Sequence, residues 1–424
     1  MGPSLVNKGA AQGHGYQEQR IIGYNPLRQE QAAMILHDPR FTKNFRDYGI
    51  LIPVLHDRAT RVLDSVSALP ALSGKDWLRS TINEQIDRED LERVHDTDFV
   101  ASLYDQDSGH DHLPGNNRSQ GSSALSGLER ELLTAYELLD PQGRPRRYEP
   151  ETAIRPLSQL FSSILGQVAG TYQAARMALD QGFCFFLGGG MHHARRDGGI
   201  GFCLVNDIMV AAARLQAENR AALIWIIDVD AHKGDGTAEI VTALRRSQSK
   251  AAVSSTAASD IVSAGRSDTA GSPAPGNGFL TLSIHMADGW PLDAETLATA
   301  EAEGRGPDQA PFAASDVELP IKSSEETSYV SRLADGLDRL EALSGGAHPD
   351  LAIVVDGADP YEHDGLPSTA GLQLDLETCV QRDLTVFSFL KKRGIPSAWL
   401  MAGGYGERAW EPPAAFLRAV IKDF

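Results

Sequence analysis

From residue 182 onward the hydrophobic positions follow one repeating pattern. A short apolar run ends in a cluster of Gly, His or Asp, and an amphipathic stretch often follows. The runs are 183–187, 222–227, 279–284, 351–355 and 397–401. They are apolar without alternation, which suits strands buried on both faces of a parallel sheet. Between them, 204–215, 328–343 and 374–393 place apolar residues at helical spacing. Strands alternating with helices predict a layered α/β fold, a three-layer α/β/α sandwich with a mainly parallel central sheet.

Upstream, 159–181 is apolar at helical spacing, with small residues that permit close packing. The stretch 27–94 reads as helical, with a break at 48–50 and Pro53. Residues 1–20 read as a disordered tail. Residues 107–123 are polar and turn-rich, so His110 and His112 are expected on a solvated loop. Residues 247–278 are rich in Ser, Ala, Thr, Gly and Pro and read as a flexible insertion. The expected organisation is one domain over 21–424, interrupted by that insertion. No heptad pattern sets an oligomeric state.

Composition narrows the function. A 42% hydrophobic fraction over 424 residues supplies a large core. The formal net charge of −18 opposes direct binding to nucleic acid or an anionic membrane. It suits a cationic partner such as a Lys-rich tail or a polyamine, and equally a plain soluble enzyme. There is neither a signal-peptide core nor an apolar run of membrane-spanning length. Only Cys184, Cys203 and Cys379 occur, without paired spacing. Together these predict a cytoplasmic protein, or a nuclear one in a eukaryotic host.

The chemistry lies where the runs end. Ligands of open α/β sheets bind at the carboxyl ends of the strands. There the chain places Gly190-Met191-His192-His193, Asp228-Val229-Asp230-Ala231-His232, Ser283-Ile284-His285, Asp356-Gly357-Ala358-Asp359 and Gly403-Gly404-Tyr405. In an extended segment Asp228, Asp230 and His232 project to one side. Such a face calls for a cation, and Asp with neutral His ligates zinc at about 2.0–2.2 Å. A catalytic zinc takes three protein ligands and keeps a position open, so Asp359 is the expected third. Two adjacent histidines after a triple glycine suit proton transfer, with Asp228 and Asp235 to fix their tautomers. The Tyr405 hydroxyl is placed either to donate to a developing oxyanion or to pack as a turn aromatic.

The segments GGGMHHARRDGGIGFCLVNDI, IIDVDAHKGDGT, LTLSIH, VVDGADP and LMAGGYG resemble, in order, the zinc histone deacetylase family of the arginase/deacetylase superfamily. The resemblance implies zinc on Asp230, His232 and Asp359. It makes His193 general base and then acid, and His192 its electrostatic partner. Asp235 would orient His193 and Asp228 would orient His192, while Tyr405 polarises the acetyl carbonyl. It implies that Gly201, Phe202, Trp290 and Leu366 bind substrate, Phe202 and Trp290 as aromatic walls. It also implies a potassium ion at Asp228, Asp230, His232, Ser283 and Ile284. The implied reaction is hydrolysis of an acetylated lysine side chain, or of an acetylpolyamine or other small acetylated amine, to acetate and free amine.

Three positions depart from the family pattern. Lys233 replaces a frequent second histidine, and Trp290 a usual Phe. Leu366 stands seven positions after Asp359, where polyamine deacetylases of the family carry an acidic gatekeeper; Glu362 and Asp364 are nearby substitutes. An arginase-like binuclear manganese enzyme is a rival reading, opposed by His192-His193 and Tyr405. A non-catalytic scaffold is another, opposed by the complete residue set.

Overall fold

The computed structural model describes residues 34–105, 125–140, 142–256 and 278–421. All fall in one unit, Gln31–Phe424. The expected tail 1–20 and loop 107–123 lie outside the described residues.

Every expected apolar run is a strand. They are β3 (Phe183–Phe186), β4 (Leu223–Asp228), β5 (Gly278–Met286), β7 (Leu351–Asp356) and β8 (Ser397–Met401). Three more strands complete the sheet: β1 (Ile35–Leu36), β2 (Leu78–Arg79) and β6 (Val317–Ile321). The order is β2-β1-β3-β8-β7-β4-β5-β6, and every pairing is parallel. The sheet is therefore wholly parallel among the described residues. Edge strand β6 alternates in burial and contains Pro320, a residue an edge tolerates because it lacks a ladder N–H.

Successive strand residues feed two separate cores. Phe186, Ile224 and Ile226 pack with the helices Leu160–Gln181 and Asp207–Ala217. Phe185, Trp225 and Ile227 pack on the other face with Tyr329–Leu343, Leu376–Arg393 and Glu411–Val420. All six residues of β4 are buried. Each fully buried large apolar side chain contributes roughly 1.5–3 kcal/mol, so the strand ends that hold the site rest on a rigid frame.

Two expectations need correction. Among its described residues the stretch 27–94 is not chiefly helical: they hold β1, β2 and short turns, and their longest helix is Arg58–Ser67. The expected break stands, since Gly49 adopts φ 73° and ends a short turn. The insertion 247–278 overlaps regular structure at its amino-terminal end, while its expected end coincides with the start of β5. The helix Asp235–Thr256 runs into it, and β5 begins at Gly278. Residues 257–277 lie outside the described residues.

Candidate active site

Because the strands are parallel, their carboxyl ends lie along one edge, and the clusters meet there. Asp230 and His232 follow β4, and Asp359 follows β7. Their ligand atoms lie within 4.8 Å of one another, all buried. His232 Nδ1 stands 2.9 Å from Asp359 Oδ2 and 3.2 Å from Asp230 Oδ1. The opposite ring nitrogen, Nε2, meets Ser368 Oγ at 3.3 Å, which leaves Nδ1 as the ligand edge. Asp359 Oδ1 accepts the Ala231 N–H at 2.9 Å, while buried Asp359 Oδ2 has no aligned donor.

Electrostatics mark the same point. Burial opposes charge on His232, yet Asp230 and Asp359 outweigh it and push its pKa up to about 10. Burial likewise opposes charge on Asp230, but His192 and His232 hold its carboxyl well below the ordinary range. The space between these side chains favours positive charge. Two carboxylate oxygens and one imidazole nitrogen fit a divalent cation with zinc's preferences.

Behind the ligands lies a fully buried arginine. Arg382 donates to the carbonyls of Val229 and Gly357 at 2.9 and 2.7 Å, and pairs with Asp356 and Asp383 at 2.6 Å each. It ties the ends of β4 and β7, and with them the segments that carry Asp230 and Asp359.

Each histidine of the tandem has its own carboxylate. His192 Nδ1 lies 2.6 Å from Asp228 Oδ2, and His193 Nδ1 lies 2.8 Å from Asp235 Oδ1. The ring centroids are 3.9 Å apart. With Nδ1–H donated to the carboxylate, the Nε2 edge of His193 is left for proton transfer. Burial and then the His192 charge lower the His193 pKa to about 4, against the pull of Asp235. Burial alone would lower His192 too, but Asp228 and Asp230 raise it to about 9. The opposite shifts make His193 the weaker and His192 the stronger base of the pair. Asp228 Oδ1 also accepts the Asp230 N–H at 3.1 Å. Its carboxylate is thus committed, which disfavours the binuclear arrangement.

The turn before the histidines is pinned by Asp207, which accepts the N–H groups of Gly190 and Met191 at 3.0 and 2.6 Å. Gly190 has φ 79°, and a Cβ there would collide with Ala402. The backbone approach therefore requires glycine.

Tyr405 and Phe202 pack edge to face at 6.0 Å. Burial, then Asp359 and Asp230, raise the Tyr405 pKa well above its ordinary value, so the phenol stays a donor. Trp290 sits 4.5 Å from the His193 ring and 5.7 Å from His232. A Cβ on Gly201 would strike Trp290, so that glycine is needed where the aromatic wall meets His193. His192, His193, Asp230, His232, Phe202 and Tyr405 all line one solvent-open cleft, whose lining also includes Lys43 and Arg58. Leu366 is buried, but outside the lining of that cavity. Ser283 is the register partner of Asp228 across β4 and β5, with Ile284 next along the strand. Lys233 points away from the ligands, to the Pro311 carbonyl and Glu318.

Asp364 is not available as an acidic gatekeeper. Its oxygens accept from Leu366 N–H, Thr369 Oγ1–H and Tyr405 N–H at 2.8, 3.1 and 2.7 Å. Among the two substitutes, only Glu362 is exposed. Asp207, Asp364, Ser368 and Arg382 are supporting residues that sequence reasoning did not single out as such.

A family model described as "Histone deacetylase domain" matches residues 53–417. An uncharacterised protein of Picosynechococcus is 28% identical over 282 residues, which are 66% of this chain and 74% of that protein. Histone deacetylase 2 of Arabidopsis thaliana is 26% identical over 239 residues, 56% of this chain and 48% of that protein. The chain thus spans about half the length of the plant relative. The crystal structure of an acetylpolyamine aminohydrolase from Burkholderia pseudomallei aligns with TM-score 0.57 at 18% identity, covering 91% of this chain and 98% of that one. At that identity the likeness bears on the fold, which is the arginase/deacetylase arrangement expected from the motifs. With a family model spanning most of its length, the chain belongs to the histone deacetylase family, a family of amide hydrolases.

Proposed function

We propose that this protein is a zinc-dependent deacetylase that hydrolyses an acetyl-lysine-type amide to acetate and a free amine. The observation that supports it most is the tandem of His192 and His193, each on its own carboxylate, beside the Asp230–His232–Asp359 cluster. Asp230, His232 and Asp359 would hold the zinc, which would supply Lewis-acid polarisation of the amide carbonyl and lower the pKa of the attacking water. His193 Nε2 takes the proton from that water. His192, cationic, and the Tyr405 hydroxyl face the charge that grows on the carbonyl oxygen. His193 then returns its proton to the leaving nitrogen, and the amine departs. Asp228, Asp230, His232, Ser283 and Ile284 are the proposed potassium positions. Free, buried Cys184, Cys203 and Cys379 suit a cytoplasmic site of action.

Acetate release from acetyl-lysine peptides by the purified, zinc-loaded protein tests this reading. It fails if His193→Ala and Tyr405→Phe both retain full activity. The pH profile adds a sharper check. His193 works as a base when deprotonated, so kcat/KM should fall as pH drops through about 4. In His192→Ala a neighbouring cation is gone, and the acidic limb should move up by about one unit or more. An unmoved limb would assign it to another group.

A second reading, hydrolysis of acetylpolyamines, has the likeness to the Burkholderia aminohydrolase in its favour. Leu366 in the gatekeeper position and the internal commitment of Asp364 favour a lysine side chain instead. Acetyl-lysine peptide should therefore outrun acetylputrescine and acetylspermidine in kcat/KM. Faster turnover of acetylspermidine by the unaltered protein would reverse the preference.

A further inference from the structure

Tyr405 lies in a segment with little local means of holding itself. Gly403 and Gly404 precede it and Gly406 follows, with φ 133° at Gly404 and 83° at Gly406. Glycines give that backbone wide freedom, and no helix or strand contains it. Its conformation has to be imposed by long-range bonds. On the amino-terminal side, Arg58 donates to the carbonyls of Gly403 and Gly404 at 2.9 and 3.0 Å. On the carboxyl side, the Gly406 N–H reaches the Pro53 carbonyl at 2.8 Å.

Tyr405 itself is held by one short stretch of chain. Asp364 Oδ2 accepts its N–H at 2.7 Å, and the Gly365 N–H donates to its carbonyl at 2.9 Å. The other oxygen of Asp364 accepts from Leu366 N–H and Thr369 Oγ1–H, which fixes the carboxylate. Gly365 and Gly406 pass so closely that a Cβ on Gly365 would sit 3.2 Å from Gly406 Cα. The loop that does this begins at Asp359 and carries Ser368, the partner of His232 Nε2. Loop 359–369 thus meets the cation cluster near both ends, through Asp359 and Ser368, and holds Tyr405 from its middle, through Asp364 and Gly365.

We propose that Asp364 is the positioning residue for Tyr405: by clamping the Tyr405 amide to the loop that bears Asp359, it sets where the phenol hydroxyl stands relative to the cation cluster. The inference rests on the hydrolase reading above. Asp364 has no open oxygen for substrate and acts only through Tyr405. A displacement of ~1 Å in such a group costs up to about a hundredfold in rate.

The test is a double-mutant cycle on the full-length, zinc-loaded protein with an acetyl-lysine peptide. Asp364→Ala should lower kcat about ten- to a hundredfold, leave KM nearly unchanged and retain the metal. Asp364→Ala combined with Tyr405→Phe should be no slower than Tyr405→Phe alone, because the loss runs through the missing hydroxyl. Asp364→Asn, with one acceptor oxygen, should recover part of kcat. An unchanged kcat in Asp364→Ala, or losses that multiply in the double variant, would overturn the proposal. If Asp364→Ala sheds its metal, the cycle is read on Asp364→Asn, and multiplying losses there overturn it equally. Full activity of Tyr405→Phe is a separate outcome, and it would remove the hydrolase reading beneath the inference.

Discussion

Asp359→Ala is expected to abolish both metal retention and amide hydrolysis. Of the three proposed ligands only Asp359 follows β7, so it joins the two halves of the cluster. Without it, Asp230 and His232 remain as neighbours in a buried space and can satisfy each other as an ion pair. Loss of one ligand from a three-ligand site should weaken zinc by well over the ~10–100-fold typical of an outer partner. Elemental analysis after dialysis should find far less than one zinc per chain, and acetate release should drop to background. The alanine variant also strips the Ala231 N–H of its acceptor, at a cost of roughly 1–3 kcal/mol in stability. Asp359→Asn separates the two effects. Its amide oxygen can keep that hydrogen bond, so thermal stability should stay near that of the original while zinc affinity still falls. Stoichiometric zinc with full activity in both variants would show that the cation lies elsewhere.

The residues of this cluster were legible because each follows an apolar run directly. β3, β4, β7 and β8 are buried on both faces, so their sequences are almost continuously apolar up to the polar clusters, while β5, equally buried, carries Thr281, Ser283 and His285 within it. The strands that escaped notice lack that signature. β1 and β2 are two residues long each, too short for any pattern. β6 is an edge strand with Pro320 inside it, and Pro in isolation argues against a strand. The helix running to Thr256 was hidden by composition. Ser247 and Ser249 suggest a loop, but their hydroxyls bond back to the carbonyls of Ala243 and Arg245, which lets serine sit within a helix.

The supporting shell was hidden for a different reason. Asp207 reads locally as the start of a helix capped by Asn206, which it also is. Its carboxylate, however, serves Gly190 and Met191, a contact no local pattern announces. Ser368, Asp364 and Arg382 likewise act on segments distant in sequence. The strand-end motifs therefore point to the groups that the fold brings together, while the residues that hold them in place emerge only once the chain is folded. Asp364 illustrates the gain: its place beside the gatekeeper position suggested contact with substrate, and its hydrogen bonds instead direct it to Tyr405.

His193→Ala should lower kcat by about 10³–10⁴-fold, near the upper end for general acid–base catalysis and equivalent to roughly 4–5 kcal/mol of barrier. Three features put the effect there and not at His192. Its lowered pKa, about 4, leaves His193 unprotonated at pH 7, ready to accept a proton, whereas His192, at about 9, already holds one. Asp235 receives the Nδ1–H of His193, which directs the free Nε2 into the cavity and stabilises the imidazolium once formed. Trp290 closes on the ring at 4.5 Å and limits its rotation. Because His193 is not among the three ligands, the variant should keep its zinc and its affinity for a hydroxamate, which separates this loss from that of Asp359→Ala. Asp235→Asn should fall between, since the ring remains but its orientation and charge support weaken. His192→Ala should retain more activity than His193→Ala near neutral pH. The reverse ranking, with His192→Ala the more damaging of the two, would exchange the roles of the adjacent rings and make the protonated histidine the one whose pKa must be lowered by substrate before it can serve as a base.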